Sequence, residues 1–134
     1  LQEIQRYANI LPINLLRTVA EDVGKGKYFF PAGTLCIPQI SIAMNDPENF
    51  SEPKEFRPAR FLEDDGYDAF LPFSLGKRQC LGESLAKAEL FLIYANLMRH
   101  FRFRTVPNKP NPSTKRLTGL TTSPLPYKCI VEKR

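Results

Sequence analysis

The segment from Leu81 to about Phe101 constrains the fold most. It carries apolar residues at helical spacing, and further apolar residues widen that face: Leu81, Leu85, Ala88, Leu92 and Ala95, then Phe91, Ile93 and Leu97. This pattern predicts one long, mostly buried helix, with Glu83 and Lys87 paired on its wetter side. A helix that is apolar on nearly all sides needs packing partners on all sides. No second helix of this length is predicted, so we expect the chain to be part of a larger domain.

The remaining segments predict short elements. Residues 1–11 have helical character that should stop at Pro12, and residues 15–44 read as three or four short strands because they alternate glycine turns with β-branched and aromatic runs. Residues 45–70 are dense in Pro, Asp, Glu and Asn, which predicts a short helical turn followed by an irregular, ordered coil. Residues 101–134 suggest two or three strands around a Pro/Asn loop.

Charge and cysteine content argue against a nucleic-acid partner, a zinc site and a disulfide framework. The net charge is +5, but the cations are scattered and lack interleaved aromatic residues, which argues against nucleic acid and favours an acidic protein partner. Cys36, Cys80 and Cys129 form no CxxC pair and lie far in sequence from the single histidine, His100. We therefore expect reduced thiols rather than a zinc site or a disulfide framework. The apolar stretches are too short and interrupted to span a bilayer, so any membrane anchor should lie outside this sequence.

The stretch FSLGKRQCLG, residues 73–82 and here called the cysteine loop, places Cys80 beside two cations and between glycines. Arg78, Lys77 and the start of the predicted helix should favour the thiolate form of Cys80. Gly76 would permit a turn that a Cβ hinders, and Gly82 would let a flat group approach the backbone. Together these features suggest a cofactor whose metal binds the sulfur and whose carboxylate pairs with Arg78.

Two other interpretations of Cys80 remain open from the residues alone. Cys80 could be a buried cysteine that packs as a small hydrophobe. It could also be the nucleophile of a cysteine hydrolase, but His100 lies about five helical turns along the same helix and could not form a dyad with it.

The cysteine loop resembles the haem-binding loop of the cytochrome P450 family, whose pattern is Phe-x-x-Gly-x-Arg-x-Cys-x-Gly. Phe73, Gly76, Arg78, Cys80 and Gly82 match all of its fixed positions. The order and spacing of two further motifs agree with this resemblance.

The first of these motifs is EIQR, which resembles the Glu-x-x-Arg pair of the family's K-helix and supplies Glu3 and Arg6. The second is FRPARF, which resembles the Pro-x-Arg-Phe element and supplies Arg60, with Ala59 where many members have glutamate. The resemblance implies that Glu3, Arg6 and Arg60 form a buried ion network that locks the coil before the cysteine loop.

The resemblance implies a mainly α fold with small β-sheets, corresponding to the C-terminal portion of the cytochrome P450 fold. Its parts would be the end of the K-helix, short strands, the meander coil, the haem-binding loop, the long L-helix and terminal strands. Residues 1–134 would be the C-terminal part of a single haem-binding monooxygenase domain. The N-terminal anchor and the oxygen-activating helix would lie outside this sequence.

The resemblance also implies roles for individual residues. Cys80 would be the axial thiolate ligand of the haem iron, held in a loop shaped by Gly76 and Gly82, with Phe73 packed near the sulfur. Arg78 and Arg17 match positions that pair with haem propionates, although Leu16 replaces a commoner proline. The predicted substrate contacts are mostly apolar: Leu11, Ile13, Asn14, Leu15 and Leu120.

The function implied is that of a haem-thiolate monooxygenase resembling the animal microsomal branch. The full protein would insert one atom of O2 into an apolar xenobiotic, fatty acid or steroid-like substrate. Its electrons would come from NADPH through a flavoprotein reductase, with a small electron-transfer cytochrome as a further candidate partner. The location would be the cytosolic face of the endoplasmic reticulum membrane. The alternative is a truncated product that binds haem poorly or not at all and has no activity. We expect this segment by itself to be inactive.

Overall fold

The computed structural model describes residues 1–63 and 67–134. The helices of these residues are α1 (Gln2–Ala8), α2 (Ile40–Ala43), α3 (Arg60–Glu63) and α4 (Glu83–His100), with a 3₁₀ turn at Gly76–Arg78. The strands are β1 (Arg17–Thr18), β2 (Val23–Lys25), β3 (Tyr28–Phe30), β4 (Leu35–Cys36), β5 (Phe101–Arg104), β6 (Arg116–Leu117), β7 (Ser123–Pro124) and β8 (Ile130–Lys133). The mainly α class with small sheets is confirmed.

The strands of the described residues form small antiparallel pairs, β1 with β4, β2 with β3, β5 with β8 and β6 with β7. The β5–β8 pair joins the end of α4 to the end of the chain, with Phe101 opposite Lys133 and Arg104 opposite Ile130. The β6–β7 pair lies beside α1, because the Thr122 N–H donates to the Ile10 carbonyl over 2.8 Å. The β1–β4 and β5–β8 pairs therefore join segments that are separated in sequence, whereas β2–β3 and β6–β7 each join neighbouring segments.

The core of the described chain is small and lies beneath α1. Phe50 and Met44 are almost completely buried. The Phe50 ring stacks on Tyr67 with centroids 4.7 Å apart, and Phe61 meets Tyr67 edge to face at 5.2 Å. Aromatic packing therefore holds the coil that follows α2 against α1 and α3.

The prediction that the long helix is mostly buried is wrong for this chain. None of the residues of α4 is buried, and Leu85, Phe91 and Ile93 are each about 60% exposed. Among the elements of residues 1–63 and 67–134, the one with several contacts to α4 is β5, which follows it directly, and most of the apolar surface of α4 is uncovered there. The expected Glu83–Lys87 pair does form, at 2.6 Å.

Several predicted boundaries also differ from the structure. Helix α1 ends at Ala8 rather than at Leu11, because Asn9 adopts a left-handed conformation with φ 42°. Helix α2 replaces part of the strand region predicted over residues 15–44; its Ile40 is buried. The long helix begins at Glu83 rather than at Leu81. Part of the predicted coil, residues 64–66, lies outside the described residues.

None of the helices in the described residues is long and apolar enough to cross a bilayer.

Candidate functional site

The cysteine loop closes on itself through backbone contacts just before α4. The Cys80 N–H donates to the Phe73 carbonyl over 2.9 Å, and Gly76 has a φ of 75° that glycine adopts without strain. Cys80 is an exposed free cysteine three residues before the first residue of α4, so the prediction that it starts this helix is corrected. A Cβ built on Gly82 would lie 4.0 Å from Cys80 Sγ, which places the Gly82 backbone close to the sulfur.

A cavity of about 670 Å³ lies beside this loop. Its lining includes Phe73, Arg78 and Cys80 from the cysteine loop, Leu11, Asn14 and Leu15 from the segment after α1, and Ala86, Leu90 and Ile93 from α4. Most of its walls are apolar, and its volume is in the range typical of small-molecule and cofactor pockets. The Cys80 thiol is therefore part of the wall of an apolar cavity that also contains the cation of Arg78.

Besides Arg17, four of the predicted haem and substrate residues do not line this cavity. Ile13 and Leu120 are exposed, Leu120 to 80%. Gly76 lines a second, more open concavity that Cys80 also borders, and Gly82 lines neither.

Arg17, the other cationic candidate, does not line the cavity but lies next to the cysteine loop. Its Nη2 is 3.5 Å from the carbonyl oxygen of Arg78, so the two cationic candidates are neighbours although 61 positions separate them in the chain. Arg17 is half-buried and Arg78 is exposed. The structure thus places the Arg17 side chain against the backbone of Arg78, a residue that lines the cavity with Cys80.

Phe73 is half-buried and lines the cavity with Cys80. The Lys87 ammonium lies 5.9 Å from the centre of the Phe73 ring and 2.6 Å from the Glu83 carboxylate. The first turns of α4 therefore hold the aromatic residue of the cysteine loop through a cation and its paired carboxylate.

The structure places Glu3, Arg6 and Arg60 together in a buried ion cluster. Arg6 contacts Glu3 in bidentate fashion, Nε to Oε2 at 2.7 Å and Nη2 to Oε1 at 2.8 Å. Arg60 Nε approaches the same carboxylate at 3.3 Å. All three side chains are at least 98% buried, and charges so enclosed are stable only when paired.

The two arginines also donate to backbone carbonyls of the coil. Arg6 Nη1 donates to Met44 O at 3.0 Å and to Pro53 O at 2.9 Å. Arg60 Nη1 donates to Ser51 O at 2.7 Å. The cluster thus fastens the coil to α1 and α3, although no motif in the sequence identifies these carbonyl partners.

The environment of Glu3 keeps its carboxyl ionised. Burial by itself would raise the pKa of Glu3, but hydrogen bonds from the Arg6 side chain and the Arg57 backbone N–H, with the charges of Arg6 and Arg60, hold it below its ordinary value of 4.5. The Arg57 N–H donates to Glu3 Oε1 over 2.9 Å. Sequence reasoning did not identify Arg57, which acts here through its backbone.

Other residues of the site were also absent from the sequence prediction. Ser74 Oγ accepts a hydrogen bond from Asn14 Nδ2 at 2.6 Å. Ile40 and Met44 line the cavity from α2 and its C-terminal end. Ser74 occupies a variable position of the loop pattern, so the pattern did not mark it as a site residue. Ile40 and Met44 lie in a region predicted as strand, so their place in the cavity wall was not predicted.

The arrangement does not support a cysteine hydrolase. The one histidine of the chain, His100, is the last residue of α4. Eighteen helical residues span about 27 Å, so His100 lies at the far end of the helix from the cysteine loop. A cysteine nucleophile needs a base within hydrogen-bond reach.

Comparison with known proteins identifies relatives along the whole chain. The family described as Cytochrome P450 matches residues 1–131. Cytochrome P450 2A4 of Mus musculus is 41% identical over 132 residues, which are 95% of this chain and 27% of that protein. The 3-ketosteroid oxygenase of Caenorhabditis elegans is 42% identical over 137 residues, which are 98% of this chain and 24% of that protein.

A solved zebra fish cytochrome P450 with abiraterone superposes with a TM-score of 0.90 at 31% identity, covering 99% of this chain and 31% of that one. The chain thus spans about a quarter of the length of the curated relatives that it matches.

Proposed function

Because the chain belongs to the cytochrome P450 family, we propose that the full-length protein containing it is a haem-thiolate monooxygenase and that residues 1–134 form the C-terminal, haem-holding part of its domain. Family membership implies haem with a cysteine thiolate as axial ligand. The observation that carries the proposal is the position of the Cys80 thiol in the wall of an apolar cavity beside Phe73 and Arg78.

The residues present fit a haem. Cys80 supplies the soft anionic ligand that iron takes in this family, and the close backbone of Gly82 leaves room beside the sulfur. Apolar side chains of α4, Ala86, Leu90 and Ile93, suit the porphyrin ring. Arg78 and the adjacent Arg17 are the cations that would pair with its propionates.

The haem, when bound, supplies the activation of O2. The residues of this chain tune and protect it. Cys80 would hold the iron through its thiolate, a strongly electron-donating ligand whose chemistry favours cleavage of an O–O bond. Phe73, which lines the same cavity as Cys80 and whose ring centre lies 5.9 Å from the Lys87 ammonium, would limit the access of water to the thiolate. The cluster of Glu3, Arg6 and Arg60 holds the coil that precedes the cysteine loop.

The proposed reaction inserts one oxygen atom of O2 into an apolar organic substrate and reduces the other to water. Apolar contacts would come from Leu11 and Leu15, which line the cavity. A steroid-like or xenobiotic substrate is supported by the relatives, which include a protein named 3-ketosteroid oxygenase and a cytochrome P450 solved with abiraterone.

The proposed electron supply is NADPH through a flavoprotein reductase, with a small electron-transfer cytochrome as a second candidate donor. The proposed location is the cytosolic face of the endoplasmic reticulum membrane, to which a segment outside these residues would attach the protein. Both proposals are supported by the similarity to animal cytochrome P450 proteins.

The test uses the full-length protein and its reduced carbon-monoxide complex. Wild type should show the red-shifted Soret band of a thiolate-ligated haem, and Cys80→Ala should abolish it because alanine offers no ligand. The matched control is Cys129→Ala, since Cys129 is also an exposed free cysteine but lies away from the cysteine loop in sequence. Survival of the band in Cys80→Ala would show that Cys80 is not the axial ligand.

A further inference from the structure

A side-chain hydrogen bond joins the segment after α1 to the cysteine loop. Asn14 Nδ2 donates to Ser74 Oγ over 2.6 Å, across 60 positions of sequence, and both side chains are half-buried. Asn14 lines the same cavity as Cys80. The bond therefore connects two walls of the cavity through side chains.

The Asn14 side chain is held in one orientation by its other contacts. Its Oδ1 accepts the Leu15 N–H over 2.8 Å, and its own backbone N–H donates to the Pro38 carbonyl over 2.8 Å. Because a backbone N–H can only donate, the amide oxygen must face Leu15, which leaves the amide NH2 for Ser74. Asn14 is thus anchored to a fixed backbone before it reaches the loop.

Ser74 occupies a demanding position in the cysteine loop. Its φ is 63°, in the left-handed region that is unfavourable for a residue other than glycine. The preceding residue, Phe73, provides the carbonyl that accepts the Cys80 N–H over 2.9 Å. A contact that holds Ser74 therefore holds the backbone bond that orients Cys80.

We propose that Asn14 is a positioning residue for the thiolate ligand, acting through Ser74, and not a substrate contact. The amide hydrogen that could serve a substrate is directed to the Ser74 hydroxyl instead. Holding the left-handed turn at Ser74 keeps the Phe73 carbonyl in place for the Cys80 N–H, so the sulfur retains one orientation. This inference rests on the proposed function, because the thiolate matters only where haem is bound.

The experiment measures how fast the full-length holoprotein loses its thiolate ligand. In the reduced carbon-monoxide complex, without substrate, the Soret band moves from its thiolate position to that of a neutral-thiol ligand, and the rate of this conversion is recorded. Asn14→Ala and Ser74→Ala should each speed the conversion by about fivefold, the effect of one lost hydrogen bond. The double variant should be no faster than either single one, because the two residues act through one bond.

The controls separate this role from others. Asn111→Ala, in the Pro/Asn loop far from the cysteine loop in sequence, should convert at the wild-type rate. If Ser74→Ala does not accumulate as holoprotein, Asn14→Ala carries the test, since it removes the same hydrogen bond and leaves the residue at φ 63° unchanged. The dissociation constant of an apolar ligand, read from its spectral shift, should be unchanged in Asn14→Ala.

The outcomes that overturn the inference differ from those that overturn the proposed function. If Asn14→Ala loses its thiolate ligand at the wild-type rate but has a larger dissociation constant for the apolar ligand, Asn14 is a substrate contact. Effects that multiply to about 25-fold in the double variant would show two independent roles. Absence of the thiolate Soret band in the wild type would instead overturn the proposed function, and this inference with it.

Discussion

At the scale of single residues, the ion pairs of the chain lie in two different environments, one buried and one exposed to solvent. Glu3, Arg6 and Arg60 are buried and satisfied by one another and by backbone carbonyls. The pair Arg104–Glu132 is exposed on the β5–β8 sheet at 3.2 Å. Only the buried cluster should carry a large energetic effect, because removing one of its members leaves an uncompensated charge away from water.

We therefore expect Glu3→Ala, Arg6→Ala and Arg60→Ala each to lower the free energy of unfolding by about 3–5 kcal/mol and to reduce the yield of haem-loaded full-length protein. None of these residues lines the cavity with Cys80. The matched control is Glu132→Ala, which should change stability by less than about 1 kcal/mol. Wild-type yields of holoprotein from all three cluster variants would contradict a role for the cluster in holding haem.

The depressed pKa of Glu3 predicts a pH dependence with a definite sign. A carboxyl with a folded-state pKa below its unfolded value of 4.5 stabilises the protein above that pH, and the stabilisation is lost as pH falls through the folded-state pKa. Glu3→Gln should therefore be less stable than wild type at pH 7, and the difference should shrink below pH 4.5. Denaturant unfolding of wild type and Glu3→Gln, at pH 7 and again below pH 4.5, measures this difference in stability. A difference that does not change with pH would contradict the depressed pKa of Glu3.

At the scale of secondary-structure elements, the β6–β7 pair is held to the C-terminal end of α1. Thr122 Oγ1 lies 3.1 Å from the Ala8 carbonyl and 2.9 Å from the Asn9 carbonyl, and the Arg116 guanidinium lies over the Tyr7 ring at 5.1 Å. The last carbonyls of a helix have no partner within the helix. The hydroxyl of Thr122 supplies one, and it thereby positions the turn that carries Leu120.

Replacing Thr122 with valine should detach this turn while leaving the shape of the side chain unchanged. We expect a loss of about 0.5–1.5 kcal/mol in the free energy of unfolding and a shift in the product pattern from an apolar substrate, since the Leu120 turn loses its anchor. The neighbouring Thr121→Val is the control, because Thr121 makes no side-chain hydrogen bond among the described residues. Equal effects of both variants would show that valine itself, and not the lost hydroxyl, is responsible.

At the scale of the whole molecule, the net charge of +5 and the uncovered faces of α4 point to different partners. The apolar faces of α4 require packing, whereas the cations near the cysteine loop suit an acidic protein surface. Lys77 is exposed, and Lys87 is already paired with Glu83. Lys77 is therefore the stronger candidate to face an electron donor.

We expect Lys77→Glu to slow reductase-supported turnover of the full-length protein, with a smaller effect for Lys87→Glu, because rim charges mainly steer the encounter. Peroxide-driven turnover, which bypasses the reductase, should change little. Higher ionic strength should slow wild type more than Lys77→Glu, since screening removes the same attraction. Lys25→Glu, in the β2–β3 hairpin, is the control. Equal losses with reductase and with peroxide would indicate damaged haem binding instead of docking.

Local sequence determined the parts of this protein whose physics is local. The helical spacing of α4, the turn glycine at Gly76 and the family pattern around Cys80 all lie within short windows, so they could be recognised without any contact being known. The same holds for Glu3 and Arg6, which lie three positions apart on one helix and pair there.

Only the tertiary structure determined the hydrogen-bond partners and the cavity neighbours of these residues. Arg6 donates hydrogen bonds to backbone carbonyls, and Asn14 donates one to the Ser74 hydroxyl. Leu11 and Cys80 line one cavity. These contacts connect residues that are 38 to 69 positions apart in the chain. The same is true of the early end of α1, where the tail turn contacts the Ala8 and Asn9 carbonyls. Such contacts depend on the path of the intervening chain, and residue type or local spacing does not encode that path.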